Sequence, residues 1–151
     1  MFYVFAFCMG IMFAVQASIN SLLSKSLYET PLMAGLVSFV VGTFCLFMLS
    51  YFSGALNSST IKALTQQEWW KFLGGVLGAC AILGIIVLTP KIGLANTFLL
   101  IVLGQIISSV VMDKIGFFGL EVREISIHKI IGLIIIFMGL GVFFYKDLLK
   151  N

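Results

Sequence analysis

The sequence predicts an all-α polytopic membrane protein of five transmembrane helices. Three observations predict it. Of 151 residues, 61% are hydrophobic and only 10% charged, against about 45–50% and about 25% in soluble domains. The apolar residues form five continuous runs, each near the length of about 20 residues that a helix needs to cross the hydrocarbon core. Every Tyr and Trp (Tyr3, Tyr28, Tyr51, Trp69, Trp70 and Tyr145) lies at or just outside the end of a run, as an interfacial belt requires. Because the runs are continuous rather than alternating, a spanning β-barrel is excluded.

The first span covers about 2–23. Its start, MFYVF, lacks the positive region of a signal peptide, so the segment is expected to span rather than to be cleaved at Val15-Gln16-Ala17. The second covers about 31–52, with Pro31 in the first turn, where no amide hydrogen bond is lost. The third covers about 70–88, and Pro90 is expected to stop it. The fourth and fifth cover about 94–112 and 129–145. In the connection 53–69, Ser58-Ser59-Thr60 ahead of IKALTQQEWW reads as a capped, short surface helix. The connection 113–128 carries Asp113, Lys114, Glu121, Arg123 and Glu124. Neither connection is long enough for a domain, so residues 1–151 are expected to form a single membrane domain.

Chemistry-bearing residues are few. Cys8, Cys45 and Cys80 fall inside apolar runs without a C-x-x-C pair, which predicts buried, inert thiols. His128, the sole histidine, stands beside Lys129 and reads as a headgroup-level residue. One His and no Cys cluster leave no metal site to assemble, and no cofactor is expected. A lipid-directed enzyme would need clustered His, Asp or Ser at one interface; a non-enzyme is expected. The net charge of +3 is small and dispersed, and no nucleic-acid partner is expected.

Membrane helices associate through small residues, because lipid is as apolar as leucine. Ala34, Ser38 and Gly42 form such a stripe in the second span. Gly74-x-x-x-Gly78 and Gly75-x-x-x-Ala79 run side by side in the third. Both are expected to pack within the chain. Gly132 and Gly139 in the fifth span are free to face a second copy.

Against this background the amides stand out. Gln16 and Asn20 in FAVQASINSL are four residues apart, about 40° on a helix and so on one face. Gln105 falls near the middle of the fourth span, one turn before Ser108 and Ser109. An amide in hydrocarbon needs a partner, either an interhelical clasp or a solute in a polar cavity. Midplane placement favours the cavity for Gln16 and Gln105; Asn20, nearer the headgroups, fits either. The candidate substrate-binding residues are Gln16, Asn20, Gln105, Ser108 and Ser109. Their amides and hydroxyls, without a fixed countercharge, suit a neutral or weakly charged solute.

Gly10, Gln16, Asn20 and Leu23 in the first span resemble the opening of the small YdcZ-type proteins of the drug/metabolite transporter superfamily. So do Pro31, Ala34, Ser38-Phe39 and Gly42 in the second. The run Gly104-Gln105…Asp113…Gly116…Gly119 is the most specific element. The resemblance implies a bacterial inner-membrane transporter whose five helices equal one half of the ten-helix members. Those are built from two inverted repeats with the substrate site between them. The closing GLIIIFMGLGV also resembles the last helix of small multidrug-resistance pumps, where a glycine face joins two subunits. Those pumps carry a glutamate in the first helix; here no span has an acidic residue in its interior. Asp113, beside Lys114, reads as a helix-end residue.

Charge counting bears on orientation. One side of the five spans holds Lys62, Lys71, Lys114, Arg123 and Lys129; the other holds Lys25, Lys91, Lys146 and Lys150. Five against four gives the positive-inside rule almost nothing to act on. A unit that inserts either way up can pair with an inverted copy. An antiparallel homodimer touching through Gly132 and Gly139 is expected. Pairing with a related five-helix chain, as an accessory subunit, is the alternative, and a small pore-forming channel is a third reading.

Overall fold

The computed structural model describes residues 2–116, 122, 124 and 126–148. Its helices are α1 (Phe2–Ser26), α2 (Pro31–Phe52), α3 (Ser58–Thr65), α4 (Leu73–Ile92), α5 (Leu94–Ile115) and α6 (Ile127–Leu148), with a 3-10 turn at Trp69–Phe72. Five stretches are long and apolar enough to cross a membrane: Phe2–Ser26, Pro31–Phe52, Trp69–Ile92, Leu94–Ile115 and Ile127–Tyr145. Of the residues named above, Gly119, Glu121, Arg123 and Lys150 lie outside the described set.

The chain falls into two compact units, Met1–Thr97 and Phe98–Asn151. In the first, α1, α2 and α4 pack against one another. The buried residues show where. They are Ala17, Asn20, Ser21 and Ser24 in the second half of α1, Ala34 and Gly35 at the start of α2, and Ile85 and Ile86 late in α4. In an antiparallel up-down-up arrangement these segments share one end. A Cβ built on Gly35 would meet Ile86 Cδ1 at 3.8 Å, so the small residue sets the helix spacing there. The other end is open in the sense that none of its described residues is buried. A Cβ on Gly42, Gly74, Gly75 or Gly78 meets nothing within 4 Å.

That finding divides the small-residue expectation. The stripe of α2 packs at Ala34, whereas among the described residues nothing stands within 4 Å of a Cβ on the paired glycines of α4. Small residues permit close approach without dictating which partner comes.

Three local expectations also change. Pro90 does not stop its helix: α4 runs on to Ile92. A proline in the last turn loses only its own bond to the Ile86 carbonyl. The helix stops at Gly93, whose φ of 86° leaves the right-handed region. The same glycine starts α5, its carbonyl accepting the Thr97 N–H at 3.1 Å and the Thr97 hydroxyl at 2.8 Å. The surface helix is capped by Asn57, whose side chain accepts the Thr60 N–H at 2.9 Å, so Ser58-Ser59-Thr60 form its first turn. Finally, Cys8, Cys45 and Cys80 are exposed, not buried. A thiol behaves as a small hydrophobe and is at home on an outward, lipid-facing surface.

In the second unit, α5 and α6 flank a cavity of about 220 Å³ lined by Leu99, Val102, Leu103, Ile136, Gly139 and Phe143. Gly132 and Gly139 have no atom within 4 Å of a built Cβ.

Candidate functional site

A groove of about 470 Å³ runs between α1 and α2. Most of its wall is aliphatic, among them Ile11, Val15 and Val41. Three polar side chains interrupt it: Gln16, Asn20 and Ser38. The four-residue spacing of the amides on a continuous helix brings both to this wall.

Asn20 is 4% exposed, and among the described residues its Nδ2 has no hydrogen-bond partner. Buried amide donors are nearly always satisfied, so this one stands out on the groove wall. Gln16 is half-buried. It lines a second cavity too, of about 180 Å³, together with Ser38, Gly42 and Thr43. Gln16 and Ser38 therefore share two adjoining spaces, and among the described residues no hydrogen bond closes them into a clasp.

Ser38 and Thr43 are the wall residues that sequence reasoning missed. Ser38 read as a packing residue because it lies between Ala34 and Gly42. The available signal was a hydroxyl in that stripe, placed where an amide face of α1 could meet it.

Gln105, Ser108 and Ser109 sit on α5 in the second unit, all exposed. Ser109 donates to the Ile106 carbonyl at 2.9 Å. Among the described residues Gln105 has no hydrogen-bond partner. Thr97 is 1% exposed and donates its hydroxyl to the Gly93 carbonyl, so that donor is already used within the chain.

Charge is confined to helix ends and connections. Lys25, Lys91 and Lys114 close α1, α4 and α5. Asp113 is half-buried in the last turn of α5, and His128 is exposed in the first turn of α6. Among the described residues no three His, Cys, Asp or Glu stand together as metal ligands. The groove can therefore offer a ligand hydrogen bonds and apolar contact, with no fixed charge.

Comparison with curated proteins and with solved structures gives no match. A family model described as "Putative inner membrane exporter, YdcZ" matches residues 1–142. That span contains all five apolar helices up to the end of the glycine-bearing α6 segment, and with it the α1–α2 groove. This chain is a multi-pass inner-membrane protein that belongs to the YdcZ family of membrane transporters in the drug/metabolite transporter group.

Proposed function

We propose that the protein exports a small, neutral or weakly charged polar solute, and that the α1–α2 groove binds it. The observation that carries this reading is the unpartnered, buried Nδ2 of Asn20 beside Gln16 and Ser38 in an otherwise aliphatic wall. A solute acceptor supplies the missing partner, and the aliphatic surface strips its water. Gln105, Ser108 and Ser109 on α5 form a separate candidate set of solute contacts within the second unit. The site is completed by two subunits in antiparallel array. The activity is transport rather than enzymatic turnover.

The test has two stages. A solute panel is screened for thermal stabilisation of the purified protein, since a ligand at 100 times its Kd adds about 2.7 kcal/mol. Hits are then assayed for flux in reconstituted vesicles. Flux no faster than through empty vesicles, for every hit, defeats the proposal. Gln105→Leu is expected to lower flux at least about tenfold, the worth of one polar contact, with expression and dimer formation unchanged. Gln16→Leu gives the same direction with a smaller loss. Normal flux in Gln105→Leu removes that residue from the site.

The antiparallel pairing has its own measurement. Single cysteines placed at Ser59 and at Glu29, in a background with Cys8, Cys45 and Cys80 replaced, should each be labelled from both faces of the membrane. Two lysines added to one side should fix the orientation and lower flux. One-sided labelling of the unmodified charge pattern rules out the inverted pair.

A further inference from the structure

A separate cavity of about 380 Å³ lies at the packed end of the first unit. Its polar lining is Ser21, Ser24 and Lys25 from the end of α1, Glu29 from the following connection, and Lys91 beside Pro90 near the end of α4. It shares no residue with the groove.

Four features make it a built site. Ser21 and Ser24 are only 9% and 7% exposed. Ser18 and Ser26 on the same helix give their hydroxyls to the Ala14 and Leu22 carbonyls at 3.0 and 3.2 Å. Ser21 and Ser24 make no such bond, so among the described residues their donors are unspent. Lys25 and Lys91 sit in the last turns of α1 and α4. Neither pairs with Glu29, as the ion pair among the described residues is Lys71–Glu68 at 3.9 Å.

The connection holds its shape at a cost. Tyr28 and Glu29 have φ of 54° and 56°, a region that non-glycine side chains seldom occupy. This backbone sets Glu29 on the wall of the same cavity as Lys25 and Lys91.

Two ammonium groups, two free hydroxyls and one carboxylate match a phosphate ester that also carries a hydroxyl or ammonium group. Ammonium and hydroxyl donors take the phosphate oxygens; the carboxylate accepts from the remainder. The charged lining sums to 2 − 1 = +1, which favours an anionic ester. Its place at the helix ends, next to the interfacial Tyr28, is the depth of lipid headgroups. We propose that this cavity binds the phosphate of an anionic phospholipid headgroup through Lys25, Lys91, Ser21 and Ser24, with Glu29 accepting from the headgroup's hydroxyl.

The test uses the full chain purified in detergent and titrated with phosphatidylglycerol, bound lipid being counted by native mass spectrometry. One retained lipid per chain is expected. Lys25→Gln with Lys91→Gln should weaken retention at least about tenfold, and Ser21→Ala with Ser24→Ala severalfold, as charge-assisted and neutral hydrogen bonds differ. Lys62→Gln with Lys71→Gln serves as the control and should change nothing. Millimolar inorganic phosphate separates the sources. If it leaves the lipid bound, the headgroup assignment holds. If it displaces the lipid in a Lys25- and Lys91-dependent way, the oxyanion site stands with free phosphate as an occupant. Equal loss in both lysine pairs, or in neither, overturns the proposal, because both would mean unspecific attraction or none. Lysines that serve only to offset the negative helix ends would alter stability without altering lipid count.

Discussion

Asn20→Leu is expected to keep or raise the stability of the fold and to lower transport at least about tenfold. The two effects share one cause. The Nδ2 of Asn20 is buried without a partner among the described residues, and an unsatisfied buried donor costs about 1–3 kcal/mol. Leucine has a similar volume and no polar atom, so the apo protein is relieved of that cost. The same substitution removes the contact that a solute would complete. Thermal unfolding and vesicle flux on one preparation decide the matter. A Leu variant that unfolds more readily shows that Asn20 was bonded after all, as a structural residue. One that transports normally takes Asn20 out of the site.

Ala34→Leu should have the largest effect on folding. Ala34 is 0% exposed and sits beside Gly35 at the place where α2 meets Ile86. Three extra carbons there must displace a neighbouring helix, and overpacking of this kind costs about 1–3 kcal/mol. Few other described residues are buried, so little remains to compensate. Gly75→Leu is the matched control, because nothing stands within 4 Å of its Cβ. The expected result is a lowered unfolding temperature for Ala34→Leu and an unchanged one for Gly75→Leu. Equal destabilisation would place a packing partner on the α4 glycines and contradict the open end described above.

The five helices were legible because apolar run length is a direct reading of bilayer thickness. The groove was legible in part. Gln16 and Asn20 could be placed on one face from spacing alone, since helix geometry is fixed. Whether Asn20 was clasped could not be read, because that depends on what α2 presents opposite it. Ser38 was passed over for the same reason: a serine in a small-residue stripe looks alike whether it packs or lines a space. The end of α4 was misplaced because proline is a strong signal and Gly93 a quiet one. Yet it is the glycine's positive φ, not the missing amide of Pro90, that turns the chain.

A bundle fastened at one end and free at the other is a lever. Ala34, Gly35, Ile85 and Ile86 form its fulcrum. Gly74 lies eleven residues from Ile85, about 16 Å along the helix at 1.5 Å per residue, so a tilt of about 10° at the fulcrum carries the far end about 3 Å. A small change of angle where the packing is tight thus becomes a change of width where the walls are bare.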